Sequence, residues 1–63
     1  MNKLKEMRKK ANLTQVDVAE RLNITQGAIS QWEVGETLPS VAILPNIAEL
    51  YGCSIDELLK SPQ

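Results

Sequence analysis

Two helix start signals lie close together in the first half of the chain, and they constrain the fold more than any other feature. Thr14, with Asp17 three residues later, has the pattern of a capping box, which opens a helix. Thr25 is a second N-cap residue, and only Asn23 and Ile24 separate it from the preceding helix. Asn23 tolerates the positive φ that such a short turn requires. Two helices joined this tightly are expected to cross at a steep angle.

Short helices with clear ends also account for the rest of the chain, and no stretch alternates apolar and polar residues as a strand would. A first helix is predicted over about residues 2–11. A fourth is predicted to start near Leu44, because Pro45 is tolerated in a first turn; a start at Ser40 is the alternative. The fifth starts at Ser54. Residues that accept a positive φ end the first four helices: Asn12, Asn23, Gly35 and Gly52.

The apolar residues recur at helical spacing and predict an aliphatic core, since the chain has no Phe and only one Trp and one Tyr. The expected inward positions are Leu4, Met7, Ala11, Val18, Ala19, Leu22, Ile29, Trp32, Leu44, Ile47, Ala48, Tyr51, Ile55, Leu58 and Leu59. Trp32 has two interpretations, a stacking platform for bases or a core residue, and its inward spacing favours the core. Cys53 is likewise interpreted as a small core residue rather than a redox sensor.

The composition excludes most enzyme chemistry. The 63 residues are enough for one domain, covering residues 1–63. The absence of His removes most general-base, Ser–His and His–metal chemistry, and a single Cys allows neither a disulfide nor a Cys-based zinc cluster. No apolar run is long enough to span a membrane, and the first ten residues lack the apolar region of a secretory signal. We therefore expect a cytoplasmic domain with no catalytic residues, metal or cofactor.

The charges are unevenly divided between the two halves of the chain. The net charge is −1, but residues 1–31 carry six basic and three acidic residues, whereas residues 32–63 carry one basic and five acidic residues. This asymmetry is compatible with one face that binds a polyanion, or with a chance distribution of surface charges. Lys3, Lys9 and Lys10 are correspondingly either phosphate contacts or solvated residues.

The third predicted helix exposes an uncharged polar face, whereas a merely solvated helix face normally carries Lys and Glu. Five residues form this face: Thr25, Gln26, Gly27, Ser30 and Gln31. Glutamine can bind adenine through two hydrogen bonds in the major groove of DNA, and a helix N-terminus attracts phosphate. Gln15, at the start of the second helix, is similarly placed for a phosphate. The pattern favours DNA readout over an arbitrary polar surface.

These residues belong to segments with known counterparts. Residues 15–33, QVDVAERLNITQGAISQWE, resemble the helix-turn-helix of lambda-repressor/Cro-type (Xre-like) regulators, and residues 44–59, LPNIAELYGCSIDELL, resemble the end of phage repressor N-terminal domains. The resemblance implies an all-α, five-helix DNA-binding domain, bacterial or phage-encoded, whose third helix enters the major groove. It also implies that Gln15 contacts a phosphate and that the five polar residues occupy base-facing and adjacent positions.

The sequence departs from that family in three places. Gly27 stands where members often carry a side chain that reads a base, and Asn23 replaces the usual turn glycine. The stretch 34–43 has no Lys or Arg, although relatives often contact phosphate there. Anchoring to the DNA backbone through this stretch is therefore expected to be weak.

Arg8 and Glu33 are opposite charges on helix stripes that otherwise bury apolar residues. Arg8 falls within the stripe of the first helix, and Glu33 lies one turn after Ile29. The two are best explained as partners, and the family resemblance supports the same structural ion pair between the first and third helices. A contact between Arg8 and a phosphate is the alternative.

The leading hypothesis is a sequence-specific regulator that binds double-stranded DNA, most simply a repressor. One small domain contacts few phosphates, so we expect a homodimer on a palindromic site. Val41 and Ile43, in an apolar loop, are the candidate dimer surface together with the C-terminal helix; alternatively they fold back onto the core. The competing hypothesis is a protein-interaction module of the same fold, such as an adaptor or an antitoxin that binds a toxin, which the low net charge favours. Salt-dependent binding to duplex DNA separates the two.

Overall fold

The computed structural model describes residues 3–59, which form five α-helices and no β-strand. The helices are α1 (Leu4–Lys10), α2 (Gln15–Leu22), α3 (Gln26–Val34), α4 (Leu44–Tyr51) and α5 (Ile55–Leu59). The predicted all-α class and the predicted order of five helices are confirmed. None of these five helices is long and apolar enough to cross a membrane.

Side-chain caps fix where three of the helices begin. The hydroxyl of Thr14 accepts a hydrogen bond from the backbone N–H of Asp17 at 3.0 Å, and the Asp17 carboxylate accepts one from the backbone N–H of Thr14 at 2.9 Å. The hydroxyl of Thr25 accepts from the backbone N–H of Ala28 at 3.2 Å, and Ser54 caps α5 in the same way. These bonds satisfy N–H groups that a helix start leaves unpaired, and they confirm the predicted capping residues.

Residues with a left-handed backbone lie after the first four helices, as predicted: Asn12, Asn23, Gly35 and Gly52. The first helix is shorter than predicted, because it begins at Leu4 and ends at Lys10. Its predicted start at residue 2 lies outside the described residues. The backbone N–H of Lys3 donates to the carbonyl oxygen of Leu58 at 3.0 Å, so the beginning of α1 lies beside the end of α5.

The start of α4 agrees with the first of its two predicted positions. The helix begins at Leu44 and has Pro45 in its first turn, where the missing N–H costs no helical hydrogen bond. Ser40 lies before the helix, and its carbonyl oxygen accepts hydrogen bonds from the N–H groups of Ile43 and Leu44 at 3.1 and 3.2 Å. The alternative start at Ser40 is therefore wrong.

Every helix contributes one fully buried side chain to the core: Leu4, Val18, Ile29, Ile47 and Leu58. Burying an aliphatic side chain contributes about 1.5–3 kcal/mol, so this shared cluster is a main source of stability. Trp32 and Cys53 are partly buried against it, in agreement with the core interpretation. The inward prediction for Leu59 is wrong, because this residue is 42% exposed and the neighbouring Leu58 occupies the buried side of the short α5.

Candidate nucleic-acid interface

The turn between α2 and α3 sets the position of the predicted DNA-reading helix. Asn23 adopts the left-handed conformation, with φ 56° and ψ 47°. The backbone N–H of Ile24 donates to the carbonyl oxygen of Ala19 at 3.0 Å, which closes the end of α2. The small side chain of Ala19 is partly buried against the core. α3 therefore starts immediately after the turn and packs against α2.

The five polar residues predicted to contact DNA lie at the start of α3 and along one side of it, and all are exposed. We call them the readout face: Thr25, Gln26, Gly27, Ser30 and Gln31. Thr25 also caps the helix through its hydroxyl. A Cβ atom added at Gly27 would meet no heavy atom within 4 Å, so packing within the domain does not require glycine there. Gly27 instead leaves the readout face open between its neighbours.

Arg8 and Glu33 form a buried ion pair that joins α1 to α3. Nε of Arg8 donates to Oε2 of Glu33 at 2.7 Å, and Nη2 donates to Oε1 at 3.2 Å. Nη1 of Arg8 donates to the carbonyl oxygen of Leu13 at 2.8 Å. The two side chains are only 9% and 3% exposed. The guanidinium is thus turned into the protein, which fits the structural interpretation of Arg8 and not the phosphate contact.

Glu33 influences the pKa values of Arg8 and Tyr51. The hydrogen bond and the charge of Glu33 raise the pKa of Arg8 above its ordinary value. Burial raises the pKa of Tyr51 in α4 to about 12, and the charge of Glu33 adds to this effect. At neutral pH, Arg8 is therefore charged and Tyr51 is neutral.

Gln15 lies between this ion pair and the readout face. Its Nε2 atom donates to Oε1 of Glu33 at 3.0 Å, and its Oε1 atom accepts from Nε2 of Gln26 at 3.3 Å. A continuous chain of hydrogen bonds therefore runs from Arg8 through Glu33 and Gln15 to Gln26. The sequence predicted Gln15 as a phosphate contact and missed this link. One signal was present: a carboxylate has more acceptor sites than one guanidinium fills, so Glu33 had room for a second donor.

None of the basic residues in the described part of the chain lies in the loop that follows α3. Lys9 and Lys10 are exposed at the end of α1, and Lys3 forms an ion pair with Glu6 at 3.8 Å. Residues 35–43, which join α3 to α4, include no Lys or Arg. The residues 3–59 also contain no group of three or more His, Cys, Asp or Glu side chains that could hold a metal ion.

The two residues predicted to form the dimer surface differ in burial. Val41 is 83% exposed, and Val34 and Leu38, which precede it in the sequence, are 67% and 69% exposed. Ile43 is partly buried and packs against the core. Ile43 therefore folds back onto the core, whereas Val41 does not.

Comparison with known proteins decides the family. A family model described as helix-turn-helix matches residues 4–58. The chain belongs to this helix-turn-helix family. The predicted relationship to lambda-repressor-like (Xre-type) regulators is confirmed by this match and by relatives that include a phage repressor.

The relatives of this helix-turn-helix chain are named as transcriptional regulators. The activator BcrR of Enterococcus faecalis is 39% identical over 61 residues, which cover 97% of this chain and 30% of that protein. The CTXphi phage repressor RstR of Vibrio cholerae is 38% identical over 56 residues, covering 89% and 50%. The uncharacterised regulator MJ0272 of Methanocaldococcus jannaschii is 37% identical over 57 residues, covering 90% and 86%. The chain spans at most half the length of BcrR and RstR. The names agree with the prediction that the chain is not an enzyme.

Proposed function

We propose that the chain is a sequence-specific DNA-binding domain of a transcriptional regulator, and that α3 reads base edges in the major groove of double-stranded DNA. The observation that supports this proposal is the exposed, uncharged readout face of α3, in a chain that belongs to the helix-turn-helix family. Gln26 and Gln31 supply side chains that suit hydrogen bonding to base edges. Gln15 retains one N–H on Nε2 beyond the one that binds Glu33, and this group would donate to a phosphate near the start of α2.

Selection of bound sequences from random duplex DNA tests this function. We expect one sequence to be enriched, with an affinity that falls as salt is raised. A variant with both Gln26→Ala and Gln31→Ala should lose the preference while its circular dichroism spectrum stays helical. Failure to enrich any sequence, or an unchanged preference in this variant, would contradict the proposal.

We further propose repression as the mode of regulation, because a domain bound at a promoter blocks access to it without a further contact. Among the relatives, RstR is named a repressor and BcrR an activator. A reporter gene placed behind the selected site distinguishes the two modes. Lower expression when the chain is supplied is the expected result, and higher expression would assign activation.

The loop after α3 favours a homodimer on DNA. Because residues 35–43 offer no basic side chain to a phosphate, a single copy makes few backbone contacts. Val34, Leu38 and Val41 are exposed apolar side chains whose burial between two copies would be favourable. We propose Val41, rather than Ile43, as the centre of a surface that joins two copies on half-sites about 34 Å apart.

A protein-interaction module is the second candidate, and the same exposed apolar residues favour it, together with the net charge of −1. In that case Val41 would contact a different protein, such as a toxin, and duplex DNA would not compete with it. Sedimentation of the chain with a palindromic duplex separates the candidates. Two copies on each duplex support the regulator, whereas absence of a DNA complex supports the module.

A further inference from the structure

Gly27 occupies the middle of the readout face, whose other four members all carry side chains. We propose that this glycine sets how closely α3 approaches the bases of DNA. With no side chain at its centre, the readout face lets the helix backbone enter the major groove, so that Gln26 and Gln31 reach base edges on either side. This inference rests on the proposed DNA-binding function and specifies how the readout face makes contact.

The central position of Gly27 follows from the geometry of α3. Residues advance by about 100° around an α-helix, so Gly27 lies between Ser30 and Gln31, which come one turn later. Ile29 is buried and Trp32 is partly buried, and these two residues lie on the opposite side of the helix. Gly27 is therefore the residue of the readout face that faces most directly away from the core.

Nothing within the domain requires glycine at this position. Gly35 and Gly52 have a positive φ, whereas Gly27 has the ordinary backbone of a helix. A Cβ atom added at Gly27 would meet no heavy atom within 4 Å. Glycine destabilises a helix relative to alanine, because it loses more backbone freedom on folding. The domain thus bears a cost at Gly27 that no contact within residues 3–59 offsets.

A close approach to DNA accounts for this glycine, because an α-helix only just fits the major groove. The groove is about 12 Å wide and about 8.5 Å deep, and a helix with its side chains is about 10–12 Å across. A side chain at the centre of the readout face would meet the bases first and hold the helix away from them. Without one, the backbone at Gly27 takes the deepest position, and the amides of Gln26 and Gln31 reach the base edges beside it.

Substitutions at Gly27 should change folding stability and DNA affinity in opposite directions. Gly27→Ala and Gly27→Leu introduce better helix formers into open space, so both should unfold about 2–5 °C above the wild type. On the site that the wild type selects, affinity should fall about tenfold for Gly27→Ala and about a hundredfold for Gly27→Leu, because the displaced helix misaligns one glutamine and then both. On a duplex without the site, affinity should change by less than about twofold, since such binding depends on phosphate contacts.

Asn46→Ala is the control for a general gain in helix stability. Asn46 is exposed on α4, outside the readout face, and alanine is again the better helix former. This variant should leave both affinities unchanged. A lower unfolding temperature for Gly27→Ala would mean that the domain itself needs the glycine. Wild-type affinity in Gly27→Leu, or an equal loss on both duplexes, would mean that no base lies close to Gly27. Each of these results would overturn the proposal.

A change on the DNA side tests whether Gly27 faces a base pair directly. This pair lies between the pairs at which Gln26→Ala and Gln31→Ala lose their preference. With A·T at this pair, uracil in place of thymine removes a methyl group from the major groove, and purine in place of adenine removes an amino group. The modified duplex has room for an added side chain, so Gly27→Ala should regain most of its lost affinity, whereas the wild type should gain none. An equal response of the two proteins would overturn the proposal.

Failure of this inference can be distinguished from failure of the proposed function. If Gln26→Ala and Gln31→Ala lose the sequence preference while Gly27→Leu keeps the wild-type affinity, the proposed function stands and the role of Gly27 is overturned. If the wild type enriches no duplex sequence, the proposed function is overturned, and the role of Gly27 falls with it whatever the unfolding temperatures are.

Discussion

The readout face of α3 and the loop at residues 35–43 are both exposed, yet they differ in polarity and in how they are connected to the core. The readout face is uncharged and polar, and Gln26 is linked to the buried ion pair through Gln15. The loop exposes the apolar side chains of Leu38 and Val41 and has no basic residue for a phosphate. Under the proposed function, one copy would contain the side chains that choose a base, whereas tight binding would require contacts that one copy does not make.

Breaking the ion pair between Arg8 and Glu33 should have the largest effect. Arg8→Ala or Glu33→Ala leaves a buried charge without its partner and should lower the free energy of unfolding by about 3–5 kcal/mol. Urea unfolding followed by circular dichroism measures this loss. Lys3→Ala is the control, because its ion pair with Glu6 is exposed and should contribute well under about 1 kcal/mol. An equally small loss for Arg8→Ala would show that the buried pair contributes no more than a surface one.

Removing a single glutamine from the readout face should affect DNA binding and spare the fold. Gln26→Ala or Gln31→Ala should cost about 1–3 kcal/mol of binding free energy on the selected site and relax the preference at one base pair. Titrations on the selected site and on sites with single substitutions provide the measurement. A uniform loss on every sequence would mean that the glutamine contacts only the DNA backbone.

The proposed role of the loop in joining two copies on DNA is tested with Val41→Glu. Val41 is 83% exposed, so the variant should stay folded, while its affinity for a palindrome should fall by about tenfold more than its affinity for a half-site. Gel-shift titrations on both duplexes measure the difference. Ile43→Glu is the contrasting variant: it places a charge against the core and should unfold the domain. Equal losses of Val41→Glu on the two duplexes would remove Val41 from the dimer surface.

The cap at the start of α2, next to Gln15, should give the smallest effect. Thr14→Ala should lower the free energy of unfolding by about 1 kcal/mol at neutral pH. Hydrogen bonds from the backbone and side chain of Thr14 lower the pKa of Asp17 in the folded state.

Because this folded-state pKa lies below the unfolded one, the stabilisation by Asp17 is complete above roughly pH 4 and is lost as the pH falls through the folded-state pKa. The difference in stability between wild type and Asp17→Asn should therefore shrink on acidification. A difference that stays constant from neutral to strongly acidic pH would show that the Asp17 carboxylate does not stabilise the folded state.

The helix ends could be predicted because they are set locally. Thr14 and Thr25 bind N–H groups three residues away, and Asn23 needs only its own backbone conformation to end α2. The pairing of Arg8 with Glu33 could also be inferred, since each charge interrupts an apolar stripe. Family membership followed from the same segments.

Features that depend on how separate segments pack against each other could not be predicted. The position of Gln15 between Glu33 and Gln26 depends on how α2 packs against α3, and helical spacing alone does not show which side chain reaches the second acceptor. The inward assignment of Leu59 failed for a related reason: within the described residues of α5, Leu58 is the side chain that packs into the core. The burial of Ile43 depends on the turn before α4, which directs Ile43 toward the core and leaves Val41 exposed.

The hydrogen bond from the backbone N–H of Lys3 to the carbonyl oxygen of Leu58 brings the first and last described helices together at their outer ends. A short peptide could join residue 59 to residue 3, and the resulting ring could be opened within residues 36–42, where no helix would be cut. Such a circular permutant would begin with α4 and α5 and continue through α1, α2 and α3. It would keep the turn at Asn23 and the whole readout face on one uninterrupted stretch of polypeptide.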